Sequence, residues 1–501
     1  MKLPSRFRSL YWLGAGAACL LVANGRWMQP WGAWVALFCL LRFSAGVGPW
    51  RGSLAILAVA FGTNLLVWKG LLPLPSPFYQ IVNMIGAIFL VAPILLHRSI
   101  SPRLRGLTAT LVYPCALVAT QYLYSRISPS CTYGSIAYTQ TFGPLLQVVA
   151  LAGIWSLLFF LGWSASVAAH WSRGELGMRG VAVFGAIALA LLGFGWARWR
   201  SSDPETRTVR VAGLVVGDFN YEFSHPIKDN LGAFRNAARE TGQQMLKRST
   251  QAAAAGARVV FWQEEALPLL KDEEDRFLAA AADCARTNHV FLGVALLVLT
   301  PEFPREWAEN KIVWLDSDGK RVIGYAKAHP TPSEPVTPGP ERVKSTVFDD
   351  GRLASVICFD MDFPAFLRQA GAQQVDLLCV PANDWREIAP YHTRITAFRA
   401  IEQGLSVVRA TGNGLSAAYD PCGRELASLT CFDNAEGRLL AEVPLRRRRT
   451  LYTAVGDAGV GVCAVGLAVL TLMAFRRGRR EPVADFGMQN DDVKSLNHET
   501  K

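Results

Sequence analysis

The chain has 501 residues, 51% of them hydrophobic and only 18% charged, with a formal net charge of +11. Globular chains usually carry about a quarter charged residues; here the apolar excess falls before residue 200 and after residue 450, which excludes one large soluble core and points to membrane segments. The basic residues flank apolar runs and form no stripe with interleaved aromatics, so lipid headgroups are their expected partners and nucleic acid is not.

Seven apolar runs come first, at about 10–25, 31–48, 53–72, 79–97, 106–124, 142–170 and 179–198. Most approach the roughly 20 residues a helix needs to cross the hydrocarbon core. The first run has no small-residue cleavage site and reads as a retained helix. An eighth run covers about 451–475.

The short loops set an orientation. Lys2, Arg6 and Arg8, the loop "HRSISPRLR", Arg173 with Arg179, and the tail motif "RRGRR" all fall on one side if every run spans once. The positive-inside rule makes that side the cytoplasm. The loops "LPLPSPFY" and "SPSCTYGSIAYTQTFG" and the long insert 200–450 then face outward. Arg198, Arg200 and the run Arg446 to Arg449 oppose this, but long domains translocate largely regardless of their charge. The run Arg446 to Arg449 suits phospholipid headgroups or an interfacial anchor for the last helix. The expected division is a seven-helix membrane domain (1–200), an extracytoplasmic domain (201–450), a last transmembrane helix (451–475) and a polar cytoplasmic tail (476–501).

Within the insert, strand candidates alternate with helical patterns. "VRVAGLVV" precedes the helical stretch "NAARETGQQMLKRSTQAAAAGA"; "VVFWQE" precedes the helix "EEDRFLAAAADCART". Strands "HVFLGVALLVL", "KIVWLD", "RVIGYAK", "LASVICFD" and "VDLLCVP" follow, then the helix "ITAFRAIEQG" and the strand "LSVVRAT". Such alternation argues for a layered α/β domain.

In α/β sheets, sites form at the carboxyl ends of strands. Glu264 closes "VVFWQE", Lys327 closes "RVIGYAK" and Cys358 closes "LASVICFD". An acid, an ammonium and a thiol make a coherent set for acyl transfer through a thioester. The carboxylate can take the thiol proton, and the ammonium favours thiolate and can stabilise an oxyanion. Singly, each has a plainer reading: a lone cysteine behaves as a small hydrophobe, and a Glu or Lys at a strand end is a solvated cap. Glu265 competes with Glu264, because strand alternation turns only one of them to the site. His329, two residues past Lys327, reads as a hydrogen-bonded neighbour as readily as a proton carrier.

Ten cysteines in a chain of this length are no disulfide framework, and no Cys-x-x-Cys spacing supports zinc. Cys422 and Cys431 could pair in an oxidising compartment.

The stretches "FWQEEALP", "GYAKAHPTPSEP", "ICFDMDFP", "PANDW" and "FRAIEQGLSVVRATGNGLSAAYDPCGR" resemble, in order and spacing, the carbon–nitrogen hydrolase (nitrilase) superfamily. The resemblance covers about 208–445 and implies an αββα sandwich with a Glu–Lys–Cys triad at Glu264, Lys327 and Cys358. A nitrilase-like domain set between a seventh and an eighth helix looks like the bacterial apolipoprotein N-acyltransferases. "YGSIAYTQTFGPLLQVVALAGIWSLLFF", with Tyr138, Gln140 and Gln147, and "TLYTAVGDAG" are similar to that family as well.

That resemblance implies a multi-pass inner-membrane enzyme working through a cysteine thioester. It would move an acyl chain from a phospholipid to the α-amino group of the diacylglyceryl-cysteine that begins an apolipoprotein. The implied partners are the phospholipid donor, the lipid-modified apolipoprotein and the bilayer; a monomer with no metal or other cofactor is expected. Glu334 matches the family's second essential glutamate, and Trp385 and Phe359 are candidates for an acyl groove, though aromatics near a strand end also serve as core.

Some positions differ from the family. Gln263 stands where it has proline, Asp360 where acyltransferases commonly have Glu, and the Lys327–Cys358 interval of 31 positions is short for them. An alternative reading is a membrane-tethered amidase or nitrilase with water as acceptor. A transporter would need ionisable residues within the spans, and few are there.

Overall fold

A computed structural model describes residues 5–201, 207–216, 227–349, 351–433 and 437–478. Lys2 and most of the expected 476–501 tail lie outside the described residues. Among those described, eight helices of 14 residues or more answer to the eight apolar runs: Ser5–Ala23, Gly32–Ala45, Pro49–Val67, Phe78–Ile100, Leu107–Ile127, Ile154–Trp171, Met178–Arg200 and Ala458–Gly478. Five spans are long and apolar enough to cross a membrane: Pro49–Val67, Phe78–Arg103, Ile154–Trp171, Met178–Arg200 and Ala458–Arg476.

Two apolar runs are broken where the sequence reads as continuous. The run 142–170 holds the short helices Gly143–Leu146 and Val149–Ala152 before Ile154–Trp171. Gly153 breaks it with φ +66°, and a Cβ there would lie 2.7 Å from the Tyr452 ring. Only glycine meets both demands. The last run breaks at Gly456, φ +58°, between Leu451–Val455 and Ala458–Gly478. The two breaks meet, so a helix end is opened towards the α/β domain. Glu402 Oε1 accepts the Ile154 backbone N–H at 2.8 Å, and Asp457 Oδ1 accepts from Trp155 Nε1 at 2.9 Å. Both carboxylates satisfy or flank a helix start that would otherwise hold bare N–H groups.

The α/β domain has two sheets. The first runs Arg438–Pro444, Thr208–Leu214, Val259–Trp262, Phe291–Leu299, Glu309–Leu315, Arg321–Ala326, with Leu267–Leu270 also paired to Phe291–Leu299. The second runs Glu425–Thr430, Leu415–Tyr419, Ser406–Gly412, Leu377–Asn383, Gly351–Ser355, Ser345–Phe348. Val211, Phe261 and Trp314 from the first pack against Leu353, Leu378 and Val408 from the second. Helices Leu231–Ala254 and Glu274–Asn288 cover the first sheet's outer face through Phe234, Met245 and Ala281. The expected αββα sandwich is present.

The helix Ala389–Gln403 explains how the sandwich meets the membrane helices. Ala397 and Ala400 face the inter-sheet core, whereas Tyr391, Ile395, Phe398 and Ile401 join the membrane-helix core with Trp155 and Leu145. A helix that is apolar on both faces belongs between two layers. Its buried Arg399 and Glu402 pair with each other, and Arg399 also bonds Tyr138 and the Met361 carbonyl. Gln147 bonds the Cys422 carbonyl at 2.9 Å, so the loop carrying Tyr138 and Gln147 is a docking surface for the domain. Cys422 and Cys431 are unpaired. Arg447 and Arg448 donate to backbone carbonyls of Gly371 and Arg198, the latter at the end of a membrane helix.

Candidate active site

Lys327 follows the strand Arg321–Ala326 and is fully buried. Its Nζ lies 2.8 Å from Glu264 Oε1 and 2.8 and 2.7 Å from the two Glu334 oxygens. Burial alone would push the ammonium down, but Glu264, Cys358 and Glu334 outweigh it and hold Lys327 well above the usual lysine range. Glu334 is pushed up by burial, against the opposing pull of Lys327.

Strand Val259–Trp262 ends before Glu264, so strict alternation does not govern the two glutamates. Glu265 takes a left-handed conformation, φ +55°, and Asn310 Nδ2 donates to both Glu264 Oε1 (2.8 Å) and Glu265 Oε1 (3.1 Å). Glu264 alone of the pair is bonded to Lys327, but its neighbour shares its donor, contrary to the one-faces-in expectation. Burial and the Glu264 charge push Glu265 up to about 8, favouring its protonated form.

Cys358 is not in the strand. That strand stops at Ser355, and Cys358 opens a tight turn, Cys358–Asp362, ahead of the helix Pro364–Ala372. Its φ of +46° is left-handed for a residue with a side chain, a conformation that costs on the order of 1–3 kcal/mol and needs support from its surroundings. Asp360 supplies it. Its Oδ2 accepts from the Ile357 N–H (2.9 Å) and the Tyr325 hydroxyl (2.6 Å). Its Oδ1 accepts from the His329 N–H and meets His329 Nδ1, both at 2.9 Å. Asp360 thus ties the cysteine turn to the strand that delivers Lys327. His329 is held by Asp360 and stacked on Phe363, with ring centroids 3.8 Å apart.

Behind the thiol lies a buried ionic group that the sequence alone does not single out. Arg409 Nη2 lies 2.7 Å from Asp384 Oδ1, 2.9 Å from His392 Nδ1 and 3.9 Å from Cys358 Sγ. His392 also contacts Asp384 at 2.8 Å and Asp362 at 2.9 Å. Burial would raise Asp384, but Arg409 and His392 outweigh it and lower its pKa. Burial and Arg409 would lower His392, but Asp384 and Asp362 outweigh them and raise it. Sγ, a carboxylate oxygen and a ring nitrogen of Cys358, Asp384 and His392 lie within 4.8 Å of one another, a spacing that suits a metal ion. The Arg409 guanidinium already provides the cation at that place. The one signal in the sequence is an arginine inside the apolar strand "LSVVRAT".

Burial first, then the Glu264 charge, push the Cys358 thiol well above its usual range, against Arg409 and Lys327. Burial and the Glu264 charge thus favour the thiol over the thiolate at this position. Phe359 is buried edge-on against Phe363, ring centroids 5.6 Å apart. Trp385 donates from Nε1 to the Gly70 carbonyl at 2.9 Å, reaching the loop between two membrane helices.

Residues 232–452, which carry the acid, the ammonium and the thiol, match the family described as carbon-nitrogen hydrolase. Over most of its length the chain also resembles apolipoprotein N-acyltransferases. It is 29% identical to that of Gloeobacter violaceus across 93% of this chain and 95% of the relative. With that of Geobacter metallireducens the identity is 25% across 74% and 75%. Among solved structures, an amidase from Nesterenkonia sp. superposes with TM-score 0.40 and 18% identity over 52% of this chain and 99% of the amidase.

Proposed function

We propose that the chain is a membrane N-acyltransferase that passes a fatty acyl group from a phospholipid, by way of Cys358, to the α-amino group of a diacylglyceryl-cysteine at the start of an apolipoprotein. The observation that carries this reading is the buried contact of Lys327 with Glu264, in a sandwich whose membrane-side helix is shared with the membrane-helix core. The likeness to curated apolipoprotein N-acyltransferases along nearly the whole chain supports the same choice.

In the first half-reaction Glu264 takes the Cys358 proton as sulfur attacks the ester carbonyl of the phospholipid. Lys327 and the N–H after the cysteine stabilise the tetrahedral oxyanion. The C–O bond breaks, the proton returns through Glu264 to the departing lysophospholipid oxygen, and a thioester remains. In the second half the acceptor amine attacks the thioester, Glu264 takes the amine proton, and the C–S bond breaks to release thiol and amide. Glu334 holds the far side of Lys327, and Arg409 offsets negative charge as sulfur ionises. Trp385 and Phe359 are proposed to border the acyl groove.

Donor and acceptor are both anchored in lipid, which accounts for a catalytic domain resting on membrane helices. By the short-loop charges, the domain lies on the extracytoplasmic side of the inner membrane with both termini in the cytoplasm. The test is incubation of the protein in phospholipid micelles with a synthetic diacylglyceryl-cysteine peptide. A peptide mass gain of one acyl chain at the amino terminus is expected. Release of free fatty acid with an unmodified peptide would instead mark a hydrolase.

A further inference from the structure

The far end of the membrane helices holds a second concentration of charge. A cavity of about 680 Å³ is lined by His97, Arg98, Arg105, His170, Arg173 and Glu175. His97 and Arg98 come from the last turn of Phe78–Ile100, and His170 from the last turn of Ile154–Trp171. Arg105 lies in the turn after the first helix, Arg173 and Glu175 in the turn after the second.

Its distance from the catalytic domain follows from helix geometry. Ile154, at the start of its helix, is bonded to Glu402 of the α/β domain. His170 is 16 residues further on, so at 1.5 Å per residue it lies about 24 Å away along the helix. The cavity is therefore at the opposite face of the helical region, at the level where headgroups meet water.

The cavity has three guanidiniums and one carboxylate. Glu175 Oε2 is taken up by Arg173 at 2.7 Å and His170 Nδ1 at 2.8 Å. His170 is held from its other nitrogen by the Ser101 hydroxyl at 3.2 Å, and its ring packs edge-on against His97, centroids 5.4 Å apart. His97 is only 5% exposed, and its Nδ1 has no hydrogen-bond partner among the described residues; neither has the buried Nε of Arg98. Buried polar groups are nearly always satisfied, so two orphaned nitrogens on one cationic wall call for an absent partner. That partner must accept hydrogen bonds and carry negative charge. Guanidinium forks suit a tetrahedral oxyanion, and phosphate is the abundant oxyanion at this depth in a bilayer.

We propose that this cavity binds one phosphate group per chain, that of an anionic phospholipid in the leaflet opposite the catalytic domain. Arg98, Arg173 and His97 are its contacts, with Glu175 holding Arg173 in place. The site is independent of the acyl-transfer reading and would stand if that reading fell.

The test uses the full-length protein in detergent, in a Cys358→Ala background so that lipid is not consumed. Native mass spectrometry counts retained phosphatidylglycerol, with diacylglycerol as the phosphate-free control. An Arg98→Gln/Arg173→Gln variant is expected to keep one phosphatidylglycerol fewer per chain, with apparent affinity for that lipid at least tenfold weaker. His97→Leu, which replaces an orphaned polar ring by an apolar side chain, is the second variant and should weaken retention without lowering the melting temperature. Arg103→Gln, an exposed neighbour that does not line the cavity, should retain lipid as before. Inorganic phosphate alone is the other arm: if it binds with the same sensitivity to both cavity variants, the phosphate chemistry stands and a free anion is its source. Equal lipid retention by the cavity variants, equal loss in Arg103→Gln, or retention of diacylglycerol in the same place would each overturn the proposal.

Discussion

Arg409 Nη2 stands 3.9 Å from Cys358 Sγ, and the guanidinium is wholly buried. A fixed cation thus backs a thiol whose ionisation is opposed by burial and by Glu264. Removing it must make the thiolate harder to form. Arg409→Met is expected to move the pH profile of Cys358 alkylation by iodoacetamide to higher pH. The rate at neutral pH should drop about tenfold for every pH unit the profile moves. Arg409→Lys should recover part of the loss. An unmoved profile in a folded Arg409→Met variant would reduce Arg409 to a packing role.

Lys327 neutralises Glu264 and Glu334 and, in the proposed mechanism, is also the donor to the oxyanion. Loss of one such donor costs about 10²–10³ in rate. Lys327→Met is therefore expected to slow acyl-enzyme formation at least 100-fold, measured by single-turnover labelling. Glu334→Gln keeps the ammonium and one acceptor oxygen beside it, so a smaller loss is expected. An equal loss in both would place Glu334 in the chemistry itself.

Much of this is legible in the sequence, for physical reasons that differ by element. The strands ending near Glu264 and Cys358 are almost wholly buried and read as short apolar runs, whereas Arg321–Ala326, ahead of Lys327, alternates buried with half-buried positions. The breaks at Gly153 and Gly456 are not legible, because both sit inside apolar runs and their cause is a partner distant in sequence, Tyr452 in one case. Edge strands such as Glu425–Thr430 are half exposed and carry little pattern. The Arg409–Asp384–His392 group is hidden because its members come from a strand, a loop and a helix that only the fold brings together. The cysteine turn reads as a strand end in the sequence; what bends it is Asp360, whose bonds reach back to Tyr325 and His329.

Docking of the sandwich onto the helices rests on a second buried pair. Glu402 joins Arg399 and the Ile154 N–H, and Arg399 reaches Tyr138. Breaking a buried pair by removing one partner costs about 3–5 kcal/mol. Glu402→Ala is expected to lower the melting temperature by several degrees in detergent and to expose the interface to protease. A melting temperature unchanged from the parent protein would mean the apolar contacts alone hold the two parts.

His392 makes stability depend on pH. In the folded protein its pKa lies above the ordinary histidine value of 6.5, through Asp384 and Asp362 acting against burial and Arg409. A raised pKa contributes stability that is complete below about 6.5 and is lost as pH rises through the folded value. Asp384, lowered, contributes stability present above its unfolded value and lost in acid. Melting temperature should therefore fall with pH above about 6.5, and His392→Gln should flatten that slope. An identical slope in the variant would assign the pH response to other groups.

Whether Cys358 itself carries the acyl chain decides the mechanism, and covalent labelling asks that question without an intermediary. Protein incubated with a phospholipid labelled in its acyl chain, without acceptor, is separated under denaturing conditions and treated with neutral hydroxylamine. One label per chain is expected, released by hydroxylamine, absent in Cys358→Ala and much slower to appear in Glu264→Gln. Label that persists in Cys358→Ala, or no label on the parent protein while small amides are hydrolysed, would rule out the thioester route.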